Sequence, residues 1–130
     1  MRVLLAEDNP INAMLARTLL RREGAEVEHV ESGEAAVDAA SSGGFDIVLM
    51  DVRMPGLGGL AATRALRARG VGTPVVALTA NAFEDDRHAC LAAGMNDFLV
   101  KPMSPDALRA TLTRWTGPGW TETLRRAKVG

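Results

Sequence analysis

Cysteine is nearly absent from this sequence, and long apolar runs are missing altogether. The single cysteine, Cys90, excludes an internal disulfide and suits a reducing compartment. No apolar run approaches the ~18 residues that a membrane-spanning helix requires. The N-terminal stretch MRVLLAED carries Glu7 and Asp8 where the apolar core of a signal peptide would stand. We therefore expect a soluble, cytoplasmic domain without direct membrane contact.

An excess of positive charge is also missing. The formal net charge is -1, whereas binding to a nucleic acid backbone requires a basic face, so nucleic acid is not expected as a partner. Lysine is scarce, because Lys101 and Lys128 are the only lysines among 15 basic residues. A length of 130 residues suits one domain with one core.

Glycines and apolar runs predict alternating strands and helices. Four times the chain passes through one or two glycines into an apolar run, as expected where a glycine ends a helix ahead of a strand. Such alternation with short connections predicts an α/β fold, a doubly wound five-stranded parallel sheet with helices on both faces. The predicted strands are 2–6, 26–30, 46–50, 74–78 and 97–100, and the predicted helices are 10–23, 33–42, 58–69, 82–93 and 104–115.

The strands differ in their apolar pattern. The first, third and fourth are continuous apolar runs and should be covered on both faces, whereas the alternating VEHVE favours a position nearer an edge. We assign residues 1–116 to one domain. Residues 117–130 follow a Gly-Pro-Gly break and are expected to be a tail or linker remnant, although Trp120 could pack back onto the domain.

Polar residues stand where four of the predicted strands end: Glu7 and Asp8, Asp51, Thr79, and Lys101. The carboxyl ends of the strands in an open parallel sheet meet at one edge, where ligands bind. Each residue has an ordinary explanation, such as a turn former, a helix cap, a strand residue or a solvated charge. Four such coincidences at one edge are improbable, so we favour a functional site.

The chemistry of this residue set is that of phosphoryl transfer. Two carboxylates ~4 Å apart repel by about 4 kcal/mol at an effective dielectric near 20, so three of them require a cation or partial protonation. Oxygen ligands favour a hard divalent ion, and Mg²⁺ suits shared carboxylate and phosphoryl oxygens. A metal, a lysine and a hydroxyl around one carboxylate form a phosphoryl-transfer site, with Asp51 as the nucleophile.

Four motifs follow one another along the chain: LLAEDNPIN, IVLMDVRMPGLGG, VVALTANA and DFLVKP. Over about residues 2–115 they resemble the receiver domain of two-component response regulators. EDNPIN and CLAAGMNDFLVKP are most similar to receivers of hybrid histidine kinases. The resemblance implies a flavodoxin-like (βα)5 fold and a role in a phosphorelay.

The resemblance also implies an acceptor and a metal site. Asp51 would accept a phosphoryl group from a phosphohistidine of a partner. Glu7, Asp8, Asp51 and the backbone carbonyl of Arg53 would hold Mg²⁺ as the cofactor. The side chain of Arg53 occupies a position that, in the family, tunes the hydrolysis of the acyl phosphate. Gly58 departs from the family, which usually has an acidic residue or Asn there.

Other implied roles concern the switch. Thr79 would bond one phosphoryl oxygen and Lys101 would pair with another. Phe98 stands at the position of the family's aromatic switch, which moves together with Thr79. Asn81 is a second position that tunes acyl phosphate lifetime, and the bond before Pro102 is expected to be cis.

The first helix carries more apolar residues than one buried face requires. Asn12, Leu15, Ala16 and Leu19 share a face that can pack on the sheet, and Ile11, Met14 and Thr18 form an adjoining stripe. This stripe is either part of a wide buried face or an exposed docking patch. The resemblance favours docking of a histidine kinase or a histidine phosphotransfer domain, with Ile11, Met14 and Pro102 in contact. It also implies a monomer or a phosphorylation-dependent dimer.

The sequence argues against three alternative functions. A phosphatase with an Asp nucleophile needs a second Asp two residues later, where Arg53 stands. A nucleotide-binding domain needs a glycine-rich loop after the first strand, where AEDNP stands. A degenerate receiver, acting as a phosphorylation-independent binding module, should lack one of Asp51, Thr79 or Lys101. We therefore expect no conventional enzyme but a domain that catalyses its own phosphorylation and dephosphorylation, whose parent chain could be a hybrid histidine kinase. His29 and His88 are read as ordinary surface or packing residues.

Overall fold

The structure, a computed structural model, describes residues 1–54, 56–80 and 84–116, and for 84–86 it describes the backbone only. Its strands are β1 (Arg2–Ala6), β2 (Glu26–Val30), β3 (Ile47–Asp51), β4 (Val75–Thr79) and β5 (Asp97–Val100). Its helices are α1 (Pro10–Arg22), α2 (Gly33–Ser41), α3 (Gly59–Ala68), α4 (Glu84–Ala93) and α5 (Pro105–Thr116). Each agrees with its predicted counterpart to within one or two residues. The expected tail 117–130, with Trp120, lies outside the described residues.

The five strands form one parallel sheet in the order β2-β1-β3-β4-β5. This confirms the doubly wound α/β fold, and it places the VEHVE strand at an edge, as its alternation predicts. The strand order reverses between β1 and β3, because the chain leaves these neighbours in opposite directions. A ligand cleft is expected at such a switch point, outside the carboxyl ends of the two strands.

Two apolar layers hold the helices on the sheet. Along β3, Ile47 and Leu49 face the layer formed with α1 and α5, while Val48 and Met50 face the layer formed with α2 and α3. All four side chains are completely buried, which is why this strand lacks the alternation of a half-exposed strand. The buried centre of the sheet thereby fixes the position of Asp51 at the end of β3.

The start of α1 is capped by Asn9, and Pro10 occupies its first turn. Asn9 Oδ1 accepts hydrogen bonds from the backbone N–H groups of Ile11 at 2.9 Å and Asn12 at 3.1 Å. This is the bonding that an N-cap side chain supplies to the unpaired amides of a first turn. Asp8 is therefore not the helix cap, and its carboxylate is available at the sheet edge.

Arg67, on α3, forms a hydrogen-bond network with the loops that precede β4 and β5, at the amino-terminal ends of the strands. Its guanidinium donates to the carbonyl of Gly94 from two nitrogens, at 3.0 and 2.9 Å, and to the carbonyls of Val71 at 2.8 Å and Thr73 at 2.9 Å. It also donates to Asn96 Oδ1 at 2.8 Å. Partial burial lowers the pKa of Arg67, and its partners are carbonyl oxygens without formal charge.

The loop between β3 and α3 is held close to its neighbours. Glu34 Oε1, at the start of α2, accepts a hydrogen bond from the Leu57 N–H at 2.9 Å. Two glycines permit closer approach than any side chain would: a Cβ on Gly33 would lie 1.9 Å from the Leu57 carbonyl oxygen, and one on Gly59 would lie 2.2 Å from that of Asp51. This loop packing fixes the chain that leaves the candidate site.

Within residues 1–54, 56–80 and 84–116, every helix falls short of the length and apolar character needed to span a bilayer.

Candidate metal and phosphoacceptor site

Three carboxylates predicted to share one edge do meet there. Glu7 and Asp8 directly follow β1, and Asp51 is the last residue of β3. One oxygen from each can be chosen so that all three lie within 4.8 Å of one another. Glu7 and Asp51 are buried, with 1% and 4% of their surface exposed, while Asp8 is exposed. Two of the three carboxylates are therefore buried at the base of the site, and the third is exposed to solvent.

Lys101 bridges the two buried carboxylates. Its Nζ lies 2.8 Å from Glu7 Oε1 and 3.0 Å from Asp51 Oδ2. Burial alone would lower the pKa of Lys101, but the two carboxylates more than compensate and raise it above its ordinary value. Lys101 therefore keeps its positive charge at neutral pH and lies in contact with Asp51, the expected acceptor.

The pKa of the buried Glu7 carboxyl is raised. Burial is the largest cause that raises its pKa, from 4.5 to about 7, and a hydrogen bond to Asp51 and repulsion by that carboxylate add to it. Lys101 acts in the opposite direction without restoring the ordinary value. Glu7 Oε2 accepts a long bond, 3.4 Å, from the N–H of Asn9.

These residues fit a hard divalent cation. Glu7 Oε1 is buried and, apart from its ion pair with Lys101, accepts no hydrogen bond of standard geometry from the described residues. Three carboxylates against one ammonium also leave an excess of negative charge in a confined space. An oxygen-only set of this kind suits Mg²⁺, which binds through a few carboxylates and keeps several waters.

A cleft lies over Asp51. Asp51, Arg53, Thr79 and Lys101 are among the residues that line it. The Arg53 N–H donates to Asp51 Oδ1 at 3.1 Å, so one oxygen of Asp51 is held by the backbone and the other by Lys101. Thr79 ends β4 beside it, and its carbonyl accepts a bond from the Lys101 N–H at 2.8 Å. Thr79 at the end of β4 and Lys101 directly after β5 thus both line the cleft above Asp51.

The predicted switch aromatic, Phe98, is half-buried on β5. The guanidinium carbon of Arg87, on α4, lies 5.0 Å from the centre of its ring, within cation–π range. The Lys101–Pro102 bond is cis, as expected, and Pro102 is exposed. Asn81 lies outside the described residues.

The apolar stripe of α1 is exposed rather than buried. Ile11 and Met14 have 71% and 63% of their surface exposed. The prediction that Leu15 packs on the sheet is wrong, because 42% of its surface is exposed. The helix buries Ala13, Ala16, Leu19 and Leu20. At about 100° per residue, Leu15 lies roughly 110° from the centre of that face.

One contact at the site involves a residue to which the sequence pattern assigns no role. His29 Nε2, on β2, lies 2.8 Å from the backbone carbonyl oxygen of Glu7. The two residues are 22 positions apart, so only the parallel register of β1 and β2 reveals that they meet.

Comparison with known families identifies this arrangement. The model of the response regulator receiver domain matches residues 3–113. Sensor protein GacS of Pseudomonas syringae pv. syringae is 47% identical over 121 residues, which cover 89% of this chain but only 13% of that protein. The chain therefore spans a small part of this relative's length.

Solved structures agree in fold and sequence. Full-length ShkA in complex with AMPPNP matches with a TM-score of 0.81 and 64% identity, over 88% of this chain and 24% of that chain. The receiver domain of the sensor histidine kinase PA1611 of Pseudomonas aeruginosa PAO1, with a magnesium ion coordinated in its active-site cleft, gives 0.83 and 46%, over 89% and 97%. The receiver domain of Ssk1 of Saccharomyces cerevisiae, crystallised with the histidine phosphotransfer protein Ypd1, gives 0.83 and 31%, over 89% and 88%.

A five-stranded flavodoxin-like sheet with an acidic cluster and a lysine at its switch point defines a signalling domain of two-component systems. This chain belongs to the response regulator receiver domain family.

Proposed function

We propose that this chain is a phosphoacceptor receiver domain, with Asp51 as the residue that takes the phosphoryl group. The observation that carries the proposal is the environment of Asp51. Its carboxylate is buried at the end of β3, 3.0 Å from Lys101 Nζ and within ligand-sharing distance of Glu7 and Asp8. An isolated structural aspartate would need neither the second and third carboxylates nor the lysine.

In the proposed step, a carboxylate oxygen of Asp51 forms a bond to phosphorus. The bond from phosphorus to the donor's imidazole nitrogen breaks, and its electron pair leaves with the imidazole. Lys101 pairs with charge on the transferring oxygens, and the Thr79 hydroxyl donates to another of them. When bound by Glu7, Asp8, Asp51 and the carbonyl of Arg53, Mg²⁺ would neutralise charge on the phosphoryl group. In dephosphorylation, water attacks the phosphorus, the bond between phosphorus and the Asp51 oxygen breaks, and inorganic phosphate leaves the free carboxylate behind.

The exposed stripe of α1 supports a protein partner beside this site. Ile11 and Met14 are large apolar side chains left in solvent, and Pro102 is exposed on the loop after β5. We propose that a histidine kinase or a histidine phosphotransfer domain docks there. A solved relative, Ssk1, was crystallised with a protein of the second kind. Phosphorylation of Asp51 would then shift Thr79 and Phe98 and so alter a protein-binding surface.

Further proposals concern the parent protein, the domain bounds and the assembly. Receiver domains of sensor kinases are among the relatives, which supports a hybrid histidine kinase as the parent chain. We propose residues 1–116 as the receiver and 117–130 as a tail or linker remnant. A monomer, or a dimer formed on phosphorylation, is the expected assembly, in the cytoplasm.

The test is intact mass after incubation with acetyl phosphate and Mg²⁺. Wild type should gain the mass of one phosphoryl group, the gain should require Mg²⁺, and Asp51→Asn should abolish it. Asp38→Asn, which removes an exposed carboxylate on α2, is the matched control and should be phosphorylated like wild type.

Some receivers accept only from protein donors, so a negative result with acetyl phosphate is followed by a phosphorylated histidine phosphotransfer protein as donor. Failure with both donors in the presence of Mg²⁺ would refute the acceptor role. The domain would then be a phosphorylation-independent binding module.

A further inference from the structure

β1 and β2 are paired only as far as Ala6 and Val30. One further backbone bond follows, in which the Glu7 N–H donates to the Val30 carbonyl at 3.0 Å. In a regular parallel ladder the carbonyl of Glu7 would then accept from the N–H of residue 32. Ser32 is instead the N-cap of α2, where the chain has left the strand.

His29 supplies the bond that the ladder no longer provides. Its Nε2 lies 2.8 Å from the Glu7 carbonyl oxygen, in a partly buried position. A carbonyl oxygen can only accept, so Nε2 carries the hydrogen and donates. The backbone of Glu7 is therefore held to β2 on both its N–H and its C=O, just where its side chain enters the acidic cluster.

We infer that His29 is a positioning residue for the metal site, acting through the backbone of Glu7. This inference rests on the proposed function. Glu7 is followed at once by Asp8, so one backbone bond orients two of the three carboxylates. Without it, the end of β1 could rotate toward solvent, and the carboxylates would have to be reordered each time a cation binds. Groups that orient metal ligands typically change metal affinity by about 10- to 100-fold.

The test is calorimetric titration of the purified domain with MgCl₂ at one fixed pH. His29→Leu removes the donor, and we expect Mg²⁺ to bind about fivefold more weakly, less than for a direct ligand contact because the bond reaches only the backbone. His29→Gln should restore most of the affinity, since its amide nitrogen is the same number of bonds from Cα and also donates.

Two controls separate positioning from a general loss of stability. Val27→Ala, on the same strand, removes a side chain packed against the core, and His88→Gln changes the other histidine, exposed on α4. Val27→Ala should lower the melting temperature as much as His29→Leu, or more, and still leave the Mg²⁺ affinity within about twofold of wild type.

Equal Mg²⁺ affinity in wild type and His29→Leu would overturn the inference and leave the proposed function standing. Equal weakening in His29→Leu and Val27→Ala would also overturn it, because the effect would then follow stability alone. If the wild-type domain binds no Mg²⁺, the proposed metal site fails and the inference fails with it.

Discussion

Replacing Glu7 by glutamine is expected to make the cation-free domain more stable at pH 8 and to leave its stability nearly unchanged at pH 5. The pKa of Glu7 is raised from 4.5 to about 7 in the folded domain, chiefly by burial. The folded state therefore holds this proton more tightly than the unfolded chain does. As pH rises from about 4.5 to about 7, the unfolded chain releases the proton first, so the free energy of unfolding falls through that window.

The size of the effect follows from the shift. Each pKa unit corresponds to about 1.4 kcal/mol, so the rise from 4.5 to about 7 sets an upper bound of about 3.5 kcal/mol. The site opens to solvent beside Lys101 and Asp8, and screening there reduces the expected gain to about 1–2 kcal/mol. Glutamine keeps the shape of the side chain and has no proton to lose, so the variant should lack this part of the pH dependence.

The assay is urea unfolding, followed by circular dichroism, in EDTA at pH 5, 6, 7 and 8. Glu28→Gln, which removes an exposed carboxylate on β2, serves as the control; because it keeps Glu7, it should lose stability between pH 5 and pH 8 as wild type does. With Mg²⁺ in excess the order should reverse, because wild type gains binding energy that the variant has lost. A Glu7→Gln domain less stable than wild type at pH 8 in EDTA, or a difference independent of pH, would refute the reasoning.

Two further variants test loop contacts, one at the opposite end of the strands from the site and one directly behind Asp51. Arg67→Met should lower the free energy of unfolding by about 3 kcal/mol, because it removes a charged donor from several partly buried acceptors. A loss below about 1 kcal/mol in urea unfolding would contradict the proposed role of this network. Gly59→Ala should cost about 2 kcal/mol or more, since its Cβ would press on the Asp51 carbonyl, and should slow phosphorylation by acetyl phosphate. Gly72→Ala is the control, because its Cβ would meet nothing within 4 Å, and it should leave the stability and the rate of phosphorylation nearly unchanged.

Local sequence signals predicted most of the fold. These signals are local: glycines that follow helices, apolar runs, and the alternation of VEHVE. They predict the strands and helices, their order along the chain and a position for β2 nearer an edge of the sheet. The site could be located in the same way, because every parallel strand delivers its last residue to the same edge. Glu7, Asp51 and Lys101 were therefore predicted together from their positions in the chain.

Other features depended on angles and distances that no local pattern encodes. Leu15 was expected to pack on the sheet, but the exposed fraction of a helical side chain depends on how the helix is rotated against its neighbours. The roles of Arg67 and Glu34 as loop ties could not be predicted, because their acceptors and donors are brought near only when α2, α3 and β5 pack.

The sequence by itself determined the fold class, the edge of the sheet that carries the chemistry and the residue types gathered there. Only the tertiary structure decided that Lys101 bridges Glu7 and Asp51, that Asn9 rather than Asp8 caps α1, and that His29 bonds the carbonyl of Glu7. The physical reason is that hydrogen bonds and ion pairs require separations near 3 Å. The position of a residue in the sequence specifies which strand carries it. The register and twist of the sheet and the packing of the helices then set the distance between side chains on different strands.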